Sequence, residues 1–170
     1  LGLKYWNNKS DMAAGLKEVE EFQKGIIDSE TMQVYTPPSN IWSEDGLDAI
    51  KDTLPDIAAV AADYFSGGYA KEQEYEVDED GMIMTPRITS GGEISEDMKL
   101  SAFSELNFHY VVSHSISPTD VLNPDAGADL GWPAMVENLN DYEKWQEEAA
   151  PDIRRMTGSE MAGAVQRFYY

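Results

Sequence analysis

Apolar residues in this chain recur at two alternating spacings, and that alternation constrains the fold more than any other feature. Short segments that read as strands are each followed by a segment with apolar residues three and four apart, which places them on one face of a helix. Strands separated by helices lie parallel and connect by right-handed crossovers, so the pattern predicts an α/β fold. An opening strand, Leu1 to Trp6, leads to Ser10 as an N-cap and to Met12, Leu16, Val19, Phe22 and Ile26 on one helical face closing near Gly25. Val34 and Tyr35 form a second strand with a loop from Thr36 to Asn40 behind it. Ser43 caps a helix carrying Leu47, Ile50 and Leu54, and Pro55 stops it before Ile57 to Ala62, an apolar run that reads as a buried strand.

Between Glu72 and Thr85 the period changes to two. Tyr75 and Val77 alternate with acids and Asp80-Gly81 supplies a turn, so an antiparallel hairpin over about 72–85 is expected as an insertion between units. A third helix starts at Ser95 and runs through Leu106, Phe108 to Ser113 reads as a strand, and a long loop follows from His114 to Gly131. Pro133 suits the first turn of a fourth helix with Met135, Leu139, Tyr142 and Trp145 on one face, ended by Pro151. Ile153 is placed at the start of a last short strand. Thr157 and Glu160 make a capping box for a final helix carrying Met161, Val165 and Phe168. The sum is one domain over 1–170 of about five strand-helix units plus the hairpin. A closed eight-unit barrel needs about 250 residues, so 170 residues predict an incomplete β/α barrel or an open sheet.

Charge narrows the partners. With 32 acidic against 12 basic side chains and a formal charge of −20, the chain repels nucleic-acid phosphates and anionic lipid surfaces unless basic residues cluster, and along the sequence they do not, whereas uncharged glycans, cationic polymers and divalent cations remain compatible. No run approaches the roughly 18 apolar residues of a membrane-spanning helix, so no membrane insertion is expected. The chain has no cysteine, which removes disulfides, thiolate metal sites and cysteine nucleophiles together.

Parallel α/β folds bind ligands on the loops that follow the strands. That rule selects Asn7, Asn8 and Asp11 after the first strand, Ser39 and Asn40 after the second, Asp63 and Tyr64 after the third, and His114 and Asp120 after the fourth. His109 and His114 fall on one expected strand at an odd separation, which points them to opposite faces and keeps them from sharing a metal. His114, where the strand runs out into a polar loop, suits a general acid/base or a donor to a transition state, against the plainer role of a loop histidine satisfying carbonyls. His109 reads as structural.

Pro37 and Pro38 stiffen the loop that presents Ser39 and Asn40, or simply form a rigid helix entry. Arg87 is a rare cation that can hold a carboxylate, a sugar hydroxyl or a catalytic Asp, or form a structural ion pair. Trp132, at a loop-helix junction, is a platform on which a sugar ring can stack, while Tyr142 and Trp145 fall on a core stripe. Glu76 to Gly81 is not a calcium loop, because Arg87 stands at the twelfth position where a bidentate Glu is required.

The phrases YTPPSNIWSEDGL, TPRITSGG and HYVVSHSISPTDVLNPD followed by GW, with PDIRRMTGSE later, run in order over most of the chain. Together they resemble the polysaccharide-deacetylase-like (NodB-like) β/α barrels, in particular a poorly characterised bacterial branch. The resemblance implies a distorted barrel that removes acyl groups from a bacterial polysaccharide by metal-assisted hydrolysis, outside the cell or in its envelope. It matches His114 to a late histidine acting as general acid, and Pro37-Pro38-Ser39-Asn40 to a proline-containing substrate loop.

The family's early Asp pair matches no stretch and would precede Leu1, so the resemblance implies the expectation that this chain is the C-terminal part of a larger barrel. Trp6 to Asp11 stands where a metal-binding histidine pair is expected, and Ser117-Pro118-Thr119-Asp120 where His-Pro-Asp-Asp is. Asn and Lys do not replace imidazoles as transition-metal ligands, so a divalent metal requires ligands outside this chain. Two functions follow. One is a glycan hydrolase in which His114 donates a proton, Asp120 or Asp11 orients it, and Ser39, Asn40, Arg87 and Trp132 position substrate. The other is a non-catalytic glycan-binding or surface-assembly module that has lost the metal ligands. The open edges of such a sheet invite association with another chain.

Overall fold

The computed structural model describes residues 6–27, 33–38, 43–62, 65–66, 69–70 and 75–169. Along the chain come α1 (Lys9–Ile26), β1 (Val34–Tyr35), α2 (Glu44–Thr53), β2 (Ala59–Val60), β3 (Phe65–Ser66), β4 (Tyr69–Ala70), β5 (Glu76–Val77) and β6 (Ile83–Met84). They are followed by β7 (Thr89–Ser90), α3 (Glu96–Phe108), β8 (His114–Ser115), α4 (Trp132–Ala149) and α5 (Gly158–Tyr169). The fold is mixed α/β with small sheets, and no closed barrel forms among the described residues.

A four-stranded sheet in the order β1-β2-β6-β5 organises the first half, with β1, β2 and β6 parallel and β5 antiparallel to β6. Strand residues alternate between faces, and the two faces are buried against different helices. Val60, Ala62, Met82 and Met84 point to one side and pack with Leu16 of α1 and with Leu47, Ile50 and Leu54 of α2. Ala59 and Ile83 point to the other, where they meet Tyr75, Val111, and Ala162 and Val165 of α5. Burial on both faces is what makes Ile57 to Ala62 read as a continuous apolar run.

The helix signals hold where the caps are strong. Ser43 Oγ accepts from Gly46 N (3.1 Å), Ser95 Oγ from Met98 N (3.2 Å), and Thr157 Oγ1 from Glu160 N (3.3 Å) while Glu160 accepts from Thr157 N (2.8 Å). The first helix differs. Its cap is Asn8, not Ser10, because Asn8 Oδ1 reaches Asp11 N at 2.9 Å and its amide donates to the Asp11 carboxylate at 3.0 Å. The expected strand from Leu1 lies outside the described residues except for Trp6, which is not in a strand.

Three further expectations are corrected. The hairpin turn forms at Gly81 (φ 83°), with residues 72–74 outside the described part, but its second strand β6 is also parallel to β2, so the hairpin completes the sheet and is not an insertion. Phe108 to Ser113 is not a strand. Helix α3 continues to Phe108, helped by the Glu105–His109 pair one turn apart (2.8 Å), and the chain breaks at Tyr110 in the left-handed region (φ 60°). Aromatic β-propensity misleads there, since Phe108 and Tyr110 are exposed and nothing rewards pairing them. Ile153 starts no strand; 153–157 is an irregular connection into α5. Among the described residues, five regular strand-helix units are therefore not formed.

Candidate functional site

Two residues each from β7 and β8 make a parallel pair, Thr89 opposite His114 and Ser90 opposite Ser115. The sequence gives little sign of β7, because only two residues pair and Pro86 and Gly91-Gly92 flank them. Those glycines do the positioning. Gly91 adopts φ 85° and Gly127 φ 97°, and a Cβ on either would press on main-chain atoms, of Ala126 in one case and of Gly92 and Glu93 in the other. Gly92 N donates to Ala126 O at 2.7 Å, and Asn138 of α4 donates to Gly92 O at 3.1 Å. The long loop after His114 is thus latched to the end of β7. It is not structureless: 3₁₀ turns span Pro118–Leu122, Pro124–Ala126 and Ala128–Leu130, the first closed by a capping box between Ser117 and Asp120.

His114 therefore lies within a strand, not beyond its end, and both its ring nitrogens have partners. Nε2 lies 2.8 Å from Gly91 O and Nδ1 2.8 Å from Thr89 Oγ1. A carbonyl only accepts, so Nε2 carries a proton, and in the neutral ring Nδ1 accepts from the Thr89 hydroxyl. Thr89, itself buried, is 3.3 Å from the Tyr142 hydroxyl. The result is a directional chain, Tyr142 to Thr89 to His114 to Gly91. Tyr142 also meets the imidazole edge-on at 5.3 Å and stacks on Trp145 at 5.9 Å. Burial lowers the His114 pKa from its ordinary value, opposed by the Gly91 carbonyl and the charge of Asp120. The ring is accordingly neutral around pH 7.

Beside β8 opens a cleft of about 340 Å³. His114 and Ser113 form part of one wall, Glu143, Gln146 and Glu147 of α4 a second, and the 153–157 connection with Arg154 and Arg155 a third. Arg155 donates to Glu143 (2.8 Å) and to Glu147 (3.3 Å), which links that third wall to α4. Ser113 is fixed from below, accepting from the Tyr75 hydroxyl (3.1 Å) and donating to the Pro86 carbonyl. Burial raises the Tyr75 phenol well above its ordinary range and keeps it a donor.

The structure brings some of the expected site residues together and separates others. Asp120 acts on His114 electrostatically while its carboxylate accepts from Ser117 N at 2.8 Å. Arg87 donates to Ser115 Oγ at 3.3 Å, beside His114 on β8. Asp11 is engaged in the cap of α1, and Trp132 is exposed at the start of α4; neither lines the cleft. Ser39 and Asn40, like Asp63, Tyr64 and Trp42, lie outside the described residues. His109 sits at the end of α3 against Glu105, with Tyr75 and Phe168 around its ring. Missed were Thr89, Gly91 and the wall formed by Arg154, Arg155, Glu143 and Glu147. The adjacent arginines in so acidic a chain were the signal that could have found that wall.

Among the described residues no group of three or more His, Asp or Glu side chains is placed to hold a metal ion. No helix of the described part is long and apolar enough to cross a membrane. Over residues 1–170 the chain matches the family described as "Uncharacterised protein conserved in bacteria (DUF2194)". No curated protein and no solved structure matches it.

Proposed function

The chain belongs to this bacterial family, and from that premise we propose that it binds a glycan in the cleft beside His114, as a module of polysaccharide-deacetylase-like type. The observation that carries the reading is the cleft itself. Planar, charged groups that suit sugar hydroxyls, on Arg155, Glu143 and Glu147, are ion-paired with one another around a space of about 340 Å³. Pre-ordered donors and acceptors lose little entropy on binding, which is what recognition of a flexible, hydroxyl-rich ligand requires. Two of the phrases that resemble the deacetylase-like barrels contribute walls of the cleft, HYVVSH with the His114 strand and PDIRRMTGSE with the arginines, while TPRITSGG carries β7, on which His114 is anchored. In this reading the parallel ladders β1-β2-β6 and β7-β8 are arcs of a distorted β/α barrel.

Binding without turnover is favoured over hydrolysis by the state of His114. A general acid must present a proton to the leaving group, but the Nε2 proton is spent on Gly91 O and the ring is neutral. The hydrolytic alternative, removal of acyl groups with His114 as acid and Asp120 or Asp11 orienting it, draws support from the Tyr142–Thr89–His114 chain, which would fix the tautomer of a catalytic ring. It takes a divalent metal only on ligands from outside this chain.

Calorimetric titration with acetylated oligosaccharides, with and without chelator, separates the readings. Binding that survives chelation, weakens in Arg155→Ala and releases no acetate is the expected result. Acetate release that chelator abolishes would replace it with the hydrolase, and no binding by any acetylated oligosaccharide would refute the glycan reading.

A further inference from the structure

Acids outnumber bases 32 to 12, and only four of the bases are arginine, at 87, 154, 155 and 167. Three of those four line two adjoining hollows. Beside the His114 cleft lies a second hollow of about 530 Å³, the two sharing Leu106, Tyr110, Ile153, Arg154 and Met156. Arg167 of α5 lines the second hollow, together with Arg154 and a single acid, Asp152.

The arginines differ in how far their charge is used. Arg155 is satisfied by Glu143 and Glu147. Arg154 comes no closer than 3.9 Å to Glu160, beyond hydrogen-bond reach, and the other oxygen of that carboxylate is taken by Thr157. Arg167 makes no ion pair among the described residues. Two guanidinium groups with unused donors therefore face a hollow that contains one carboxylate, on a surface that is otherwise strongly acidic.

Tyr110 supplies the remaining part. It is the one described residue other than glycine with positive φ (60°), a conformation that bulky side chains rarely adopt and that is held only where the surroundings enforce it. Its ring leans on Phe168 at 5.8 Å, is largely exposed, and lines both hollows at their junction. An exposed aromatic ring lining the same hollow as two guanidinium groups fits a sugar ring that carries a carboxylate: the ring stacks, and the planar carboxylate takes forked hydrogen bonds from arginine.

We infer that the second hollow is a subsite for a uronic-acid residue, so that the ligand of the adjoining hollows is an anionic glycan. This rests on the glycan reading of the first cleft and narrows it. Arg154 and Arg167 hold the carboxylate, Tyr110 stacks on the ring, and Asp152 accepts from a hydroxyl.

The test compares tetramers of galacturonic acid, of its methyl ester and of N-acetylglucosamine by calorimetry on the whole chain. The acid should bind at least ten-fold tighter than its ester, and the two affinities should converge in Arg154→Gln/Arg167→Gln, two exposed positions where folding is checked by circular dichroism. Should the double substitution disturb the fold, Tyr110→Ala serves instead and should weaken both galacturonate ligands. If the neutral tetramers bind and Arg155→Ala weakens them while the acid gains nothing, the subsite is wrong and the glycan cleft stands. If an acid preference survives the double substitution, the arginine assignment is wrong. If none of the three binds, the inference falls together with the reading beneath it.

Discussion

The sheet around β2 and β6 and the corner made by β7 and β8 are both built on parallel pairing, yet they are held together by different forces. In the sheet, Ala59, Val60, Ile83 and Met84 are nearly or fully buried and alternate between two apolar clusters, so position is set by volume and water exclusion. In the corner, two paired residues a side are fixed by polar partners and by glycines that let main chains touch. The contrast teaches where function can be housed. An apolar layer tolerates no unpaired polar group, whereas a corner already organised by hydrogen bonds can turn some of them toward a ligand.

The contrast can be broken most forcefully in the sheet. Leu54→Ala removes a side chain that is 2 % exposed from the α2 face of the core and should cost about 2–5 kcal/mol in denaturant unfolding. A loss below about 1 kcal/mol would mean that the two-sided packing is wrong. Thr89→Val, nearly isosteric, should cost about 1–3 kcal/mol by leaving His114 Nδ1 and the Tyr142 hydroxyl without their shared partner. In an apolar layer the same change would be close to neutral, so this variant sharpens the comparison. Gly91→Ala, placed at φ 85° against Ala126, should cost about 1–2 kcal/mol and also weaken glycan binding, because the Gly91 carbonyl orients His114. Thr157→Ala should cost about 1 kcal/mol through loss of the α5 cap.

The smallest effect is the pH dependence. Burial lowers the folded pKa of His114 below the unfolded value of about 6.5. The unfolded state then binds more protons between the two values, so this contribution to stability is complete above about 6.5 and is lost as pH falls through the folded pKa. Unfolding midpoints measured from pH 7.5 to 5 should decline less steeply in His114→Gln than in the parent chain.

The same contrast accounts for what was legible in the sequence. Two-sided burial shows itself as Ile57 to Ala62, and capping residues such as Ser43, Ser95 and Thr157 announce helices because their side chains act within one turn. The corner is assembled from distant pieces. Thr89 finds His114 across 25 positions and Tyr142 across 53, and no local spacing encodes either contact. His114 is legible as a candidate and lines the cleft, but its strand is expected a few residues too early, because Phe108 and Tyr110 carry β-propensity that the continuing helix overrides. Arg87 was legible as a rare cation and is found beside His114 on Ser115. Asp11 was selected by a loop rule, although its position three residues after Asn8 also spells a helix start.

The proposal rests on a neutral, doubly anchored His114 forming a wall of the cleft that is proposed to receive the glycan. Nitrogen NMR of the two imidazoles, followed from pH 8 to 4.5 and repeated with saturating oligosaccharide, tests it most directly. His114 should show the Nε2–H tautomer, titrate below 6.5, and shift on adding saccharide while His109 stays in place. A His114 titration above 6.5, an Nδ1–H tautomer, or a saccharide response confined to His109 would contradict it.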